Sequence, residues 1–435
     1  MSKKIQKSKM SIIPSPLALA IGLSIFVFVL ALLFTKNNST VFYPLQILTF
    51  FQKGIWDLLA FAMQMTLILV LGNVLAISSP VQKILKVILK RIDSPSKAVV
   101  TTAIVSILLA YFNWGLGLIF SALLARAIGE EAKYKNINLN YPLLVAVAYT
   151  GMMVWHGGIS GSAPLKVATS GHFLEDKIGI VSVGDTIFSQ MNIVLFFIIL
   201  ISVPILAFAL SKRKNFVQLQ EFNLEKSSLS KSINHKRNYL GLFFGIMLLV
   251  MGIYLLVING LSAININLVN LFLLALVFIV YPELASLMKA VDSAISNASG
   301  IMIQFPIYAG IMGILKYSGL IVIFTNQLIE ISNPTTFPIY SFISAAIVNF
   351  FVPSGGGQWA IQGPILMDAA MSIGVSVPKT IMALAYGDQI TNMIQPFWAI
   401  PLLSITGVKA KQIIPYTVPI MIVGTLASLL VLILF

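Results

Sequence analysis

The sequence predicts an all-α polytopic membrane protein built as two inverted repeats, each with a re-entrant hairpin and a broken transmembrane helix. Three observations lead there. Of 435 residues, 58% are apolar and only 10% charged, whereas soluble domains carry roughly a quarter charged residues. The apolar residues arrive in runs such as Tyr239 to Ile258 and Ile413 to Phe435, near the ~20 residues that span a hydrocarbon core as a helix. A pair of dipeptides also recurs at one spacing: Ala148-Tyr149 precedes Pro164-Leu165 by sixteen residues, as Ala385-Tyr386 precedes Pro401-Leu402.

The first crossing is read at 15–34, behind a tail bearing Lys3, Lys4, Lys7 and Lys9. It is longer than a signal-peptide core and has no small-x-small site before Lys36, so it reads as a retained helix. Further crossings are expected at 56–78, 141–165, 190–210, 239–258, 265–282, 299–316, 380–402 and 413–435. The segments 98–128 and 338–373 each hold two helix-length halves around Gly-rich polar residues, the pattern of hairpins that enter and leave on one side. With the N-terminus cytoplasmic, 22 of the 28 Lys and Arg fall on the cytoplasmic side, which sets the orientation and places the C-terminus outside. The net charge of +14 is therefore a topology signal facing the lipid bilayer and implies no nucleic-acid partner. Asp57, Glu283 and Asp292 sit at expected helix ends or in the surface-lying stretch 284–297, and read as interfacial.

The domain organisation follows. Residues 1–210 form an N-terminal half, 211–238 a polar Lys- and Ser-rich linker, and 239–435 a C-terminal half. The first copy runs crossing 56–78, hairpin 98–128, broken segment 141–165, crossing 190–210. The second runs crossing 299–316, hairpin 338–373, broken segment 380–402, crossing 413–435. Because 56–78 runs inward and 299–316 outward, the copies are inverted, as in many secondary transporters.

Non-helical backbone at membrane depth is tolerated only inside protein or beside a wet cavity, so the places where the apolar helices are interrupted are the candidate site. Four are visible: Asn113 to Gly117, His156 to Ser162, Pro353 to Gln358 and Gly387 to Pro396. Glycines allow backbone N–H groups close to an anion, and a helix N-terminus after a break presents a positive dipole end. A carboxylate suits that setting. The candidate substrate-binding residues are Asn113, Trp114, His156, Gly157, Gly158, Ser160, Ser162, Ser354, Gly355, Gly356, Gly357, Gln358, Thr391, Asn392 and Gln395, with no Lys or Arg in any break. Trp155, Trp359 and Trp398 join Trp114 in or beside the breaks as possible walls of an apolar pocket, or as helix-packing residues.

A mid-span carboxylate costs about 2.5 to 3.5 kcal/mol on insertion scales, which makes Asp388 the ionisable residue best placed for function. Cation coupling, with Asn113 and Asn392 as further ligands, is one reason for its presence; capping of exposed backbone N–H groups is the other. His156 stands without a second His or Cys nearby, and the chain has no cysteine. Disulfides, thiolate chemistry and transition-metal sites are accordingly not expected. No Gly-Lys-Ser/Thr follows the glycines, and no Ser-His-Asp order, His-Glu-x-x-His helix or paired catalytic carboxylates appear, so an enzyme is not expected. A channel or facilitator is the alternative to a transporter, but it needs a continuous polar path, whereas polarity here is concentrated at four breaks.

The runs Tyr111 to Gly117, Val154 to Ser162, Val352 to Trp359 and Thr391 to Trp398 resemble the bacterial short-chain fatty acid transporter family, of the acetoacetate and butyrate uptake type, and the similarity extends through nearly the whole chain. The resemblance implies uptake of short-chain monocarboxylates across the bacterial inner membrane. It also implies membership of a broader ion-transporter group whose hairpin tips and broken helices form the substrate site and move, elevator-like, against a scaffold. A co-transported Na+ or H+ and a homodimeric scaffold fit that picture; no cofactor does. The chain departs from the family pattern at Gln389-Ile390, where less polar or aromatic residues are expected, and in its basic central loop.

Overall fold

In hydrocarbon every backbone N–H and C=O must be bonded internally, and the chain meets this demand with helices. The structure, a computed structural model, describes residues 16–36, 41–57, 59–135, 137–168, 172, 174–212, 239–263, 266–295, 299–351, 353 and 355–435. Among these there is no strand.

In the first half, α1 (Pro16–Phe34) is followed by α2 (Tyr43–Asp57), α3 (Leu59–Ala76) and the short α4 (Ser79–Leu89). A helical pair comes next, α5 (Pro95–Phe112) and α6 (Trp114–Tyr134), joined at Asn113. Then come α7 (Tyr141–Ala148), a 3-10 turn over Thr150–Met153, α8 (Ser162–Val167), α9 (Glu175–Ile178) and α10 (Gln190–Ser211). The second half holds α11 (Tyr239–Asn259), α12 (Ile266–Val280), α13 (Leu284–Ile295), α14 (Ser299–Tyr317) and α15 (Leu320–Glu330). A second pair, α16 (Phe337–Asn349) and α17 (Gly355–Ser372), precedes α18 (Val377–Thr391), a 3-10 turn over Asn392–Ile394, α19 (Pro396–Thr406) and α20 (Ala410–Leu434). Among the described residues four helices are long and apolar enough to cross a membrane: α5, α10, α11 and α20.

Packing sorts the helices into two groups. In one, α1 and α2 lie against α14, α3 against α12 and α13, and α11 against α12. In the other, α5 packs on α6 and α10, α10 on α20, α7 on α20, α19 on α6, and α16 on α18. Elements from both halves of the chain therefore interlock within each group. Two close approaches depend on glycine. A β-carbon on Gly54 would stand 2.5 Å from the Gly313 Cα where α2 crosses α14, and one on Gly387 would stand 2.1 Å from the Phe342 carbonyl oxygen where α18 crosses α16.

Several expected boundaries are corrected. The crossing placed at 56–78 is preceded by a helix from Tyr43, which Gln46, Gln52 and Lys53 hid by lowering the local hydropathy. The glycines 355–357 form the first turn of α17 and Gly387 to Thr391 lie inside α18, so two of the four breaks are narrower than the polar runs that marked them. The first half of the segment 98–128 is span-length in itself.

Candidate functional site

The first broken segment begins conventionally, with Pro142 in the first turn of α7 and Asn140 Oδ1 accepting from the Leu143 N–H at 3.1 Å. Regular α-helix stops at Ala148 and resumes at Ser162. The irregular peptide between them is buried, and its polar groups must find partners elsewhere. Ser106 of α5 donates to the Ala148 carbonyl (2.8 Å) and accepts from the Gly151 N–H (2.9 Å). The Ile159 N–H donates to the Tyr111 carbonyl at 2.8 Å, and Gly158 is pressed so closely on the same carbonyl that a β-carbon would stand 2.3 Å from its oxygen. The N–H groups of His156 and Gly157 both donate to Gln389 Oε1, each at 3.0 Å. Asn192 donates to the Gly157 and Ile187 carbonyls, each at 2.7 Å, and accepts from the Tyr386 hydroxyl at 3.1 Å.

The second break is tied down by amide side chains. Asn349, the last residue of α16, places Nδ2 2.8 Å from the Asp388 carbonyl oxygen, 3.0 Å from Thr391 Oγ1 and 2.9 Å from Asn392 Oδ1. Gln395 donates to the carbonyls of Asn349 (3.2 Å) and Phe350 (3.1 Å), while its Oε1 caps α19 by accepting from the Phe397 N–H at 3.0 Å. Gln358 donates to the Ala345 carbonyl (2.9 Å) and to Gln362 Oε1 (3.0 Å).

The two breaks meet at His156 and Asp388. His156 Nδ1 lies 2.5 Å from Asp388 Oδ2, and His156 Nε2 accepts from the Ala163 N–H at 3.0 Å. A ring nitrogen that accepts carries no proton, so the imidazole holds its proton on Nδ1 and donates it to the carboxylate. Both side chains are sealed, His156 at 0% and Asp388 at 1% exposure. The second helical pair closes on the same spot: a β-carbon on Gly355 would stand 2.7 Å from Trp155 Cη2 and 2.8 Å from His156 Cε1. The His156 ring stacks on Trp155, with centroids 4.6 Å apart. Trp155 in turn belongs to a three-tryptophan cluster with Trp114 and Trp398, centroids 5.1 to 6.0 Å apart.

Comparison with known proteins gives this site its context. A profile described as short chain fatty acid transporter matches residues 1–435. The chain belongs to that family. A protein of Escherichia coli (strain K12) assigned to short-chain fatty acid transport is 34% identical over 417 residues, covering 93% of this chain and 92% of its own. Its counterpart in Haemophilus influenzae (strain ATCC 51907 / DSM 11121 / KW20 / Rd) is 33% identical, with 95% and 96% covered. The crystal structure of the YdaH transporter of Alcanivorax borkumensis superposes with a TM-score of 0.50 at 15% identity over 97% of this chain and 98% of that one, a likeness of fold. The protein is thus a multi-pass membrane protein of a transporter family.

Among the family member's expected site residues, His156, Gly157, Asp388, Thr391 and Asn392 lie in one hydrogen-bonded network with Asn349 and Gln389. Gly356 and Ser162 also face one another: a β-carbon on Gly356 would stand 3.8 Å from Ser162 Cβ and 3.9 Å from its hydroxyl oxygen. Other residues have structural work. Ser160 accepts from the Trp114 N–H at 3.0 Å, and Asn113 is the extended residue (φ −154°, ψ 120°) at the end of α5. Trp359 packs with Ala163, Val167, Leu366 and Ile381 in a separate apolar cluster. Ser354 lies outside the described residues. The sequence reading missed Asn349, Asn192 and Gln362, and treated Gln389 only as a departure from the family. For Asn349 a signal existed, since it ends an apolar helix of the second pair as Asn113 ends one of the first.

Proposed function

We propose that this chain is a secondary active transporter that takes up short-chain fatty acids or related small monocarboxylates together with Na+ or H+. The observation that carries the reading is the buried contact between His156 of the first half and Asp388 of the second, with the start of α17 packed against it. Family membership supplies the substrate class.

The carboxylate would sit at the N-terminus of α17, whose first turn is Gly355, Gly356 and Gly357 and where the dipole favours negative charge. Ser162 opposite adds a hydroxyl. Trp114, Trp155 and Trp398 would border the alkyl tail and limit its length. Asp388 would hold the co-transported cation, with Asn392 nearby through Asn349 and with Asn113 at the tip of the first pair. His156, Asp388 and the three tryptophans are buried while Gly356, Gly357 and Ser162 are half-buried, and such a discrete site suits alternating access rather than an open pore.

The two packing groups suit an elevator. The α5–α10 and α16–α20 elements would move together, with 98–128 and 338–373 as re-entrant hairpins, against a frame of α1–α3 and α11–α14 that also supplies a homodimer contact. Halves 1–210 and 239–435 would be the inverted repeats, joined by the cytoplasmic linker 211–238, with the N-terminus inside and the C-terminus outside. Uptake of radiolabelled butyrate and acetoacetate into proteoliposomes under imposed Na+ or H+ gradients tests the reading. Saturable accumulation with counterflow is expected; linear, non-saturating flux would overturn it in favour of a channel.

A further inference from the structure

Around the His156–Asp388 contact, three buried side-chain oxygens lack a hydrogen-bond partner among the described residues, Asp388 Oδ1, Asn349 Oδ1 and Gln358 Oε1, as do two donors, Asn392 Nδ2 and Trp155 Nε1. Asn349 and Gln358 are both 0% exposed, and buried polar atoms in native proteins are almost always satisfied. The three residues are neighbours. Asn349 Nδ2 lies 2.8 Å from the Asp388 carbonyl oxygen. Gln358 Nε2 lies 2.9 Å from the carbonyl of Ala345, one helical turn before Asn349. The His156 ring that binds Asp388 lies against Gly355, less than one turn before Gln358.

The way each residue is held fixes which atom it leaves over. Asn349 and Gln358 commit their NH2 groups to carbonyl and amide oxygens, so what remains on each is an acceptor. Asp388 commits Oδ2 to His156, whose proton is pinned on Nδ1 by the bond that Nε2 accepts from Ala163. A further N–H donor would pair with one such atom; a hard cation takes several oxygens at once. With one carboxylate among neutral amides, the set matches a single positive charge and falls short of the ligand charge that divalent sites gather.

We infer that Asp388 Oδ1, Asn349 Oδ1 and Gln358 Oε1 form a binding site for a monovalent alkali cation, with His156 as the positioning residue that holds the carboxylate. This deepens the transport reading by naming Na+ over H+ as the coupled ion, and its physiological use rests on that reading. Binding itself does not.

The test is Na+ titration of the purified full chain without any carboxylate. Both the thermal unfolding midpoint and tryptophan fluorescence are followed, since Trp155 stacks on His156, with choline chloride holding ionic strength constant. A saturable, Na+-specific response is expected. Asn349→Leu and Gln358→Leu should each raise the half-saturating Na+ concentration about 10- to 100-fold, Asp388→Asn should abolish the response, and Asp368→Asn, on the exposed Lys177 pair, should leave it unchanged. Equal responses to Na+ and choline, or an unaltered Na+ response in both Asn349→Leu and Gln358→Leu, overturn the site even where Asp388→Asn does not fold. A response to pH alone with none to Na+ also overturns it and assigns the coupling to a proton. Na+ binding without butyrate uptake would refute the transport reading and leave the site standing, whereas butyrate uptake without Na+ binding would do the reverse.

Discussion

At the scale of single residues, the candidate site is built by hydrogen bonds that fix which polar atoms are committed and which are left over. His156 receives on one nitrogen and gives on the other, so replacing it with Ala strands both the Ala163 N–H and Asp388 Oδ2. Each buried orphan costs about 1 to 3 kcal/mol; His156→Ala is therefore expected to lower the unfolding midpoint measurably, and an unchanged midpoint would contradict the bonds described. Asp388→Asn retains an oxygen for the His156 proton and should fold, yet gradient-driven accumulation of butyrate in proteoliposomes should fall to background. Gly355→Ala places a methyl 2.7 Å from Trp155; overpacking of this kind costs about 1 to 3 kcal/mol, and uptake should drop sharply. His156, Asp388 and the glycines were legible in the sequence because polar or conformationally free residues inside apolar runs need a reason. Gln395 and Gln358 were legible as polar, but their commitment to backbone carbonyls was not, because only the folded chain brings the end of α16 beside them.

At the scale of elements, close crossings are set by glycine and the breaks are set by what side chains can satisfy. Where α2 crosses α14, a β-carbon on Gly313 would stand 2.3 Å from the Phe50 carbonyl oxygen. Gly313→Val should consequently destabilise the protein by roughly 1 to 3 kcal/mol or more, read as a lower unfolding midpoint in detergent. The polar runs marked the breaks but overstated them, since Gly387 to Thr391 and Gly355 to Gly357 continue as helix. Glycine lowers helix propensity by only about 1 kcal/mol, which packing against α16 and Trp155 offsets. The helix α2 escaped because its Gln and Lys residues blunt the hydropathy on which span detection rests, whereas the long apolar runs of α10, α11 and α20 announced themselves.

At the scale of the whole molecule, the interlocking of the two halves is the feature from which function follows. Repeat spacing and charge asymmetry lead to the expectation of two inverted halves, and family membership covers the full chain. Which elements touch across the halves was not legible, because pairings such as α6 with α19 and α7 with α20 join residues far apart in sequence. The central claim is that broken peptide from both halves comes together around one buried place. Ser162 and Gly356 test it most directly, because their β-carbon positions are 3.8 Å apart, the mean separation in disulfides of about 3.8 Å, and the chain has no cysteine of its own. In a Ser162→Cys, Gly356→Cys double variant carrying a protease site in the 211–238 linker, mild oxidation should leave the two halves joined after cleavage and separable on reduction, with saturating butyrate slowing the cross-link. Halves that separate after oxidation, with both thiols still free, would contradict the account.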